Sequence, residues 1–252
     1  MEFRGELMKF VANTDVGKKR KNNEDSYFAK CYSEDVSLYI VADGLGGYEG
    51  GEYASKILVD SISNYIELNL KRLPKLNEVN IKNILNVSLT MANKKIYDLE
   101  KTNEKYKGMG TTLVLLLKVK SMLFYMSVGD SRLYFVPEDF SDITQVTVDD
   151  TYVNELLKTK VISKEEALTH PQKHVLTKAV GIMQNLTVNV NMLDKKSGYI
   201  ILCTDGITNM LSSEEILEIL SKNKFEDLAN CLIKKANING GNDNITVVVV
   251  KL

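Results

Sequence analysis

The chain has 252 residues, of which 44% are hydrophobic, which is enough apolar material for a sizeable core. Its 32 basic and 33 acidic side chains give a net charge of −1, which argues against nucleic acid as the main partner, because binding to a phosphate backbone needs a basic excess or stripe. The three scattered cysteines argue against a disulfide framework or a thiolate zinc site. The sequence shows neither the pattern of a signal peptide nor an apolar run long enough to span a membrane, so we expect a cytoplasmic protein with no membrane partner.

In the first half of the chain, three predicted strands precede two long predicted helices. The strands cover 7–13, 27–32 and 37–42, and the last two form a hairpin. Apolar residues at helical spacing predict helices over 52–70 and 80–105. A glycine-rich loop, 44–51, separates the third strand from the first helix.

The second half of the chain is dominated by strands. Alternating or continuous apolar runs predict strands over 111–119, 122–128, 132–136, 142–147, 186–193, 199–203 and 245–252. Shorter helices are predicted over 150–160 and 163–168, after Ser212, and over 225–236, and Ser163 with Glu166 has the spacing of a capping box. Strands therefore cluster instead of alternating with helices, which favours an α+β sandwich of antiparallel sheets over a doubly wound parallel sheet. Without a linker, we expect one domain over 1–252.

Acidic residues recur where predicted strands begin or end. The segments are Asn23-Glu24-Asp25, Val41-Ala42-Asp43-Gly44, Val128-Gly129-Asp130-Ser131, Cys203-Thr204-Asp205-Gly206 and Asn242-Asp243-Asn244-Ile245. This recurrence suggests that the carboxylates gather at one edge of a sheet, where they repel and raise one another's pKa unless cations neutralise them. An oxygen-only cluster suits a hard divalent ion, Mg²⁺ or Mn²⁺.

The glycine-rich loop has more than one interpretation. It lacks the Gly-Lys-Ser/Thr ending of a phosphate-binding P-loop and the spacing of a dinucleotide-binding fingerprint. Alternatively, its glycines allow a tight turn beside Asp43 and free the Gly44 carbonyl to serve as a metal ligand. A simple tight turn before a helix stays open as a third interpretation.

The motifs together resemble one known family. They are Arg20-x-x-x-Glu24-Asp25, Asp43-Gly44-x-Gly46-Gly47 with Gly51-Glu52-x-Ala54-Ser55, Gly110-Thr111-Thr112, Gly129-Asp130-Ser131-Arg132, Thr204-Asp205-Gly206 and Asp243-Asn244-Ile245-Thr246. They occur in the order typical of the PPM family, the metal-dependent, phosphatase-2C-like Ser/Thr protein phosphatases. The resemblance covers roughly 7–252, and the six motifs in this order are far more specific than any one of them.

The resemblance implies a four-layer αββα sandwich with a metal centre at one end. It implies Asp43 as the ligand that bridges two Mn²⁺ or Mg²⁺ ions, Asp205 and Asp243 as ligands of the first ion, Glu24 and the backbone oxygen of Gly44 as ligands of the second, and Asp130 with Asp205 as ligands of a weaker third ion. Asp25 would orient metal-bound water from outside the ligand shell, and Arg20 would clamp the substrate phosphate.

The function that the resemblance implies is hydrolysis of phosphoserine and phosphothreonine in proteins. A hydroxide that bridges the two ions would attack the phosphorus directly, without a phosphoenzyme. The partners would be phosphoproteins and a cognate bacterial Ser/Thr kinase whose action the enzyme reverses, and nothing in the sequence demands more than a monomer. The alternatives are a catalytically silent family member that binds phosphoproteins or acts as a scaffold, and another two-metal hydrolase such as a nuclease.

Two stretches depart from the family pattern or carry no assigned chemistry. Leu45 stands where many eukaryotic members have a candidate general-acid histidine, so the proton donor for the leaving group stays unassigned. The segment 148–180, which corresponds to the family's mobile flap, has Asp149-Asp150-Thr151 where bacterial relatives often have Asp-His-Ser. Its histidines, His170 and His174, are far in sequence from any aspartate motif, and we interpret them as structural or surface groups.

Overall fold

The structure is a computed structural model that describes residues 8–46 and 50–252. Leu7, the first residue of the strand predicted over 7–13, and the centre of the glycine-rich loop lie outside the described residues.

Eleven strands lie in the described part of the chain. They are β1 (Lys9–Asp15), β2 (Asp25–Cys31), β3 (Val36–Leu45), β4 (Gly110–Thr111), β5 (Leu113–Val119), β6 (Met122–Val128), β7 (Arg132–Val136), β8 (Thr144–Gln145), β9 (Asn191–Met192), β10 (Tyr199–Cys203) and β11 (Ile245–Lys251). One sheet has the order β1-β11-β10-β7-β8, and the other has the order β2-β3-β5-β6-β9 with β4 paired to the end of β3. Neighbouring strands are antiparallel throughout.

Seven α-helices accompany the sheets in residues 8–46 and 50–252. They are α1 (Gly50–Asn69), α2 (Glu78–Thr102), α3 (Tyr152–Lys158), α4 (Lys164–Thr169), α5 (Asp205–Thr208), α6 (Ser213–Lys222) and α7 (Leu228–Ile238). The predicted capping box at the start of α4 is formed, because the Ser163 side chain accepts from the Glu166 N–H and the Glu166 side chain accepts from the Ser163 N–H. Ser212 and Glu215 form a second capping box at the start of α6, which was not predicted. None of the described helices is both long and apolar enough to cross a bilayer.

The helices and sheets form four layers in the order helices, sheet, sheet, helices, and an apolar core lies between each pair of neighbouring layers. One core packs α1 and α2 on the β2–β9 sheet, with Ile62 and Leu85 fully buried in it. A second packs α6 and α7 on the other sheet, and a third, around Tyr39, Leu116 and Val248, lies between the two sheets. The predicted α+β sandwich of two antiparallel sheets flanked by helices is therefore confirmed.

Two predicted strands are wrong over most of their length. Only Thr144–Gln145 of 142–147 and Asn191–Met192 of 186–193 form strand. In the second segment, Leu186, Val188 and Val190 pack against the helix-facing core although their backbone is mostly not paired in the sheet. The apolar pattern in 186–193 therefore arises because side chains of this segment are buried. Such a pattern can occur without the backbone hydrogen bonds of a strand.

Asp43 and Asp205 were predicted to lie at the ends of strands, and the structure differs at both. Asp43 lies inside β3, because β4 continues the pairing past it and sets Gly44 opposite Thr111 and Leu45 opposite Gly110. Asp205 is the first residue of the short helix α5, which was not predicted, and the extended backbone of Thr204 precedes it as the N-cap residue.

Candidate metal centre

The sandwich brings the acidic residues from five separate places in the sequence to one end. Asp25 opens β2 and lies directly opposite Asp43 in the register of β2 and β3. Asp205 follows β10, Asp243 lies two residues before β11, and Asp130 stands between β6 and β7. Because these strands belong to both sheets, the site is built across the sandwich and not on one sheet alone.

Asp25 joins the two sheets at this end. Its Oδ2 accepts from Thr204 Oγ1 at 2.9 Å and from Thr246 Oγ1 at 2.6 Å, and Thr246 also donates its backbone N–H to Thr204 Oγ1 at 3.0 Å. The other carboxylate oxygen of Asp25, Oδ1, is buried and has no hydrogen-bond partner among the described residues. One half of this carboxylate is therefore held rigidly while the other half is free to engage a ligand.

The Gly-Thr-Thr motif holds the backbone of Asp43. Thr112 Oγ1 accepts from Asp43 N–H at 2.8 Å, and the Asp43 carbonyl accepts from the Thr112 N–H at 2.8 Å and from Thr111 Oγ1 at 2.9 Å. Thr112 Oγ1 also lies 2.6 Å from Ser131 Oγ, next to Asp130. The two threonines thus couple the position of Asp43 to the turn that carries Asp130.

The turn before Asp130 requires glycine. Gly129 has φ +89°, and a Cβ there would lie 2.7 Å from the Thr112 side chain. Asp150 binds this turn twice, because its N–H donates to the Gly129 carbonyl at 2.9 Å and its Oδ2 accepts from the Gly129 N–H at 3.2 Å. The segment 148–180 is therefore anchored directly beside a predicted metal ligand.

Asn244 attaches the N-terminal loop to the Asp243 turn. Its Nδ2 donates to the carbonyls of Val16 at 3.0 Å and Asn22 at 2.9 Å, and its Oδ1 accepts from the Glu24 N–H at 2.8 Å. Asp243 Oδ1 in turn accepts from the Asn244 N–H at 2.8 Å. One asparagine therefore sets the relative positions of Glu24 and Asp243, which lie more than two hundred residues apart in the sequence.

The predicted second-ion ligands, Glu24 and Gly44, meet the start of α1. The Gly44 N–H and Ser55 Oγ both donate to the Glu24 carbonyl, at 3.1 and 2.6 Å. A Cβ on Gly44 would lie 2.2 Å from the Gly51 carbonyl oxygen, and a Cβ on Gly51 would lie 2.1 Å from Glu24 Oε2. This close approach, and not flexibility, is the reason for glycine at both ends of the glycine-rich loop.

Arg20 lies at the rim of the acidic cluster, and its side chain is 54% exposed. Its Nη2 donates to Asp243 Oδ2 at 2.9 Å. This bond is the main cause that raises the pKa of Arg20, and the charges of Asp243, Glu24 and Asp43 add to it. The guanidinium is therefore held at the site by the carboxylates that are predicted to bind metal.

The carboxyl groups of the cluster resist ionisation. Burial and the charges of Asp205 and Asp243 raise the pKa of Asp25 to about 7, although the two threonine hydroxyls lower it. Burial and the charges of Asp205 and Asp149 also raise the pKa of Asp130 to about 7. The pKa of Asp43 is raised well above its ordinary value by burial and by four neighbouring aspartates.

Asp205 has neighbours that partly oppose the rise in its pKa. Burial and the charge of Asp243 raise its pKa, whereas the charge of His174, a hydrogen bond from Asn209 and the neighbouring Asp43 carboxyl lower it. Asn209 Nδ2 donates to its Oδ2 at 2.9 Å, and its Oδ1 is buried without a partner among the described residues.

The donor set fits a hard divalent cation. In residues 8–46 and 50–252, no three His, Cys, Asp or Glu side chains form a ready-made ligand set by themselves. Mg²⁺ and Mn²⁺ take several of their ligands from water and backbone carbonyls, so a site for them does not need three such side chains placed together. The unpartnered oxygens of Asp25 and Asp205 and the raised pKa values of the cluster are nevertheless the unbalanced features that a bound cation would relieve.

A cavity of about 350 Å³ adjoins the cluster beneath α3 and α4. Asp130, Asp205 and His174 line it together, with Leu157 and Leu168 on its apolar side. The structure thus places His174 beside the acidic cluster, where its sequence position gave no sign of it. His170 lies outside this lining, stacks obliquely on Tyr152 at 6.1 Å between ring centres, and accepts from the Gln172 N–H.

Comparison with known proteins identifies close relatives over nearly the whole chain. The protein phosphatase 2C family model matches residues 17–243. The serine/threonine phosphatase stp of Listeria innocua is 36% identical over 240 residues, covering 94% of this chain and 93% of that protein. The serine/threonine phosphatase Stp1 from Staphylococcus aureus has a TM-score of 0.88 at 31% identity, covering 100% of this chain and 99% of that one. The catalytic domain of the serine threonine protein phosphatase PstP was solved in complex with 2 manganese ions. It has a TM-score of 0.82 at 30% identity, and the match covers 97% of this chain and 98% of that one.

Proposed function

Because the chain belongs to the protein phosphatase 2C family, we propose that it is a metal-dependent phosphatase that hydrolyses phosphoserine and phosphothreonine in proteins. One observation carries the proposal: carboxylates from five places in the sequence meet at one end of the sandwich, with buried oxygens of Asp25 and Asp205 unpartnered among the described residues. A relative that covers most of this chain was solved with manganese, which supports Mn²⁺ or Mg²⁺ as the cofactor.

The proposed ligand set is the one that the family resemblance implies, and the neighbours of each carboxylate support it. Asp43 lies at the centre of the charge cluster and would bridge two ions, with Asp205 and Asp243 on one side and Glu24 and the Gly44 carbonyl on the other. Asp130, which shares a cavity with Asp205, would serve a weaker third ion. When bound, such ions supply an acidified water as nucleophile and neutralise the phosphate charge.

Asp25 is a positioning residue in this proposal. Its hydrogen bonds from Thr204 and Thr246 orient its carboxylate through Oδ2, and its other oxygen, Oδ1, is buried and accepts no hydrogen bond from the described residues. An oriented acceptor of this kind fixes the position of a water and its protons.

Arg20 binds the phosphate in this proposal. Its exposed guanidinium uses one nitrogen on Asp243, which leaves further donors of its planar fork for phosphate oxygens. The Asp243 contact holds Arg20 at the rim of the cluster before substrate arrives.

We further propose that the protein acts in the cytoplasm as a monomer and reverses the action of a Ser/Thr kinase. The family membership and the names of the relatives support the substrate class. The near-neutral net charge supports protein over nucleic acid as the substrate.

The test is phosphate release from a phosphothreonine peptide with Mn²⁺, with EDTA, and with the Asp43→Asn variant. We expect release with Mn²⁺ only, and a matched Asp98→Asn variant, altered at an exposed acid on α2, should behave as wild type. No release by folded wild-type protein that binds Mn²⁺ would support the catalytically silent alternative. Cleavage of nucleic acid without peptide hydrolysis would support a nuclease, and turnover that survives EDTA would refute the metal mechanism.

A further inference from the structure

A second cavity, of about 590 Å³, lies at the end of the sandwich opposite the acidic cluster. It is bounded by the turn between β5 and β6, the segment between β9 and β10, and the last residue of the chain. β6 and β10 both start at this cavity and end at the acidic site, so strands of five to seven residues, about 15–20 Å long, separate the two. The size is within the range of about 300–1,000 Å³ that small-molecule sites occupy.

The floor of this cavity is apolar and continuous with the core between the sheets. Leu123 is buried in that core, and Met8, Leu193 and Leu252 pack against it while also lining the cavity. Met192 adds an apolar side chain that is 41% exposed. The inter-sheet core therefore reaches solvent at this end instead of being closed by polar residues.

The rim of the cavity is basic. Four lysines line it, namely Lys118, Lys120, Lys195 and Lys196, against a single acidic side chain, Asp194, among the described lining residues. None of the four forms an ion pair with a carboxylate in residues 8–46 and 50–252. Lys118 donates instead to the Glu34 carbonyl, and Lys195 Nζ lies 4.6 Å from the centre of the Phe135 ring.

We propose that this cavity binds a single-chain anionic amphiphile of the fatty-acid type. The acyl chain would lie on Leu123, Leu193 and Met192, and the carboxylate would lie among the rim lysines. An apolar floor gives a sugar phosphate or a nucleotide no advantage, and a concave cavity is poorly filled by a flat lipid surface. The apolar floor and the rim lysines, which no carboxylate of residues 8–46 and 50–252 pairs, together favour a ligand with an apolar chain and a negative charge.

The chain-length series tests the apolar half of the proposal. Octanoate, decanoate and dodecanoate are titrated by calorimetry, below micelle-forming concentrations, into EDTA-treated protein so that metal at the acidic site cannot take up the carboxylate. Affinity should rise about 15-fold with each two methylenes. Equal affinity along the series, or equal binding of dodecyltrimethylammonium, would overturn the proposal.

Charge reversal at the rim tests the location. Lys195→Glu with Lys196→Glu should weaken dodecanoate binding by about tenfold or more. The matched control, Lys224→Glu with Lys234→Glu, changes the net charge equally at exposed lysines near the outer helices and should leave binding unchanged. Met192→Asp, at an exposed position of the floor, should abolish binding while thermal unfolding stays near wild type. Equal effects of the two double variants would show non-specific attraction and reject the site.

Discussion

Gly51 is the residue at which one added carbon would disturb the proposed metal ligands most directly. A Cβ there would lie 2.1 Å from Glu24 Oε2 and 2.8 Å from the carbonyl carbon of Gly44. We expect Gly51→Ala to displace Glu24, raise the Mn²⁺ concentration needed for half-maximal activity by at least about tenfold, and reduce stability by roughly 1–3 kcal/mol. Metal titration of phosphatase activity and urea unfolding measure the two effects.

The neighbouring glycine supplies the control. Among the described residues, a Cβ on Gly50 would meet only Met109, with its nearest atom at 3.2 Å. Gly50→Ala should therefore leave the metal requirement unchanged. If both variants shift it equally, the effect belongs to the start of α1 and not to the contact with Glu24.

His174 is the residue beside the acidic cluster that the sequence motifs do not mark. Its charge lowers the pKa of Asp205, and it lines the cavity that holds Asp130 and Asp205. A positively charged imidazole in this cavity should attract an anionic phosphopeptide. We therefore expect His174→Ala to lower kcat/KM for a phosphothreonine peptide about five- to tenfold. His170→Ala, which removes a histidine outside the lining, should change kcat/KM by less than about twofold. If kcat/KM is unchanged in His174→Ala, His174 is a structural or surface group, as its sequence position alone suggested.

Sequence motifs indicate the acidic residues because each one carries its own local signal, a short segment at a strand end. His174 has no such signal. It reaches Asp205 only because the chain returns from α4 across the site, where Leu176 bridges to Thr151 and the Thr177 N–H donates to the Asp150 carbonyl. Contacts that depend on a long-range chain path cannot be inferred from local spacing.

Among whole elements, the segment that contains α3 and α4 is tied to β7 by a partly buried ion pair between Arg132 and Asp149. Asp149 accepts from Arg132 through Nε at 3.1 and 3.0 Å and through Nη2 at 2.7 Å, and Gln145 Nε2 donates to it at 2.7 Å. Lysine offers a point charge and cannot reproduce the planar fork. We expect Arg132→Lys to lower the free energy of unfolding by roughly 1–3 kcal/mol and to speed proteolysis within 148–180.

The chain contains a matched arginine for this experiment. Arg72 precedes the short turn at Leu73–Lys75, is exposed, and makes no ion pair among the described residues. Arg72→Lys should keep the unfolding free energy within about 0.5 kcal/mol of wild type. Mass-spectrometric mapping of the first cleavage sites distinguishes loosening of 148–180 from global destabilisation, which would expose sites throughout the chain and contradict the expectation.

Sequence predicts an element well when the residues that give its apolar pattern are also the ones that the regular helix or strand buries. In β5, β6 and α2 the apolar residues are buried by the same packing that the element itself creates. In 186–193 the side chains are buried but most of the backbone is not paired in a sheet, so periodicity alone predicts a strand that is mostly absent. The helix α5 is too short, at four residues, for any period to emerge.

For the molecule as a whole, gathering the carboxylates at one end links stability to protons and to metal. Asp25 and Asp130 have a pKa of about 7 in the folded protein against an ordinary value of 3.8, chiefly because they are buried. A carboxyl whose folded pKa is raised binds more protons when folded than when unfolded. Its neutral form therefore stabilises the fold at low pH, and this contribution is lost as the pH rises through about 7.

Metal-free protein should consequently become more stable as the pH falls from 8 to 6, with the unfolding midpoint rising by roughly 2–4 °C for each kcal/mol gained. Mn²⁺ needs ionised ligands, so the stabilisation it gives should be larger at pH 8 than at pH 6. Scanning calorimetry of EDTA-treated and Mn²⁺-loaded protein at both pH values measures these effects. The Asp25→Asn and Asp130→Asn double variant should reduce the pH response of the metal-free protein, leaving the part that comes from Asp43 and Asp205, whereas Asp60→Asn with Asp98→Asn, at exposed acids on α1 and α2, should preserve it in full. A metal-free wild type that loses stability between pH 8 and 6 would show that the acidic end of the sandwich does not govern the linkage.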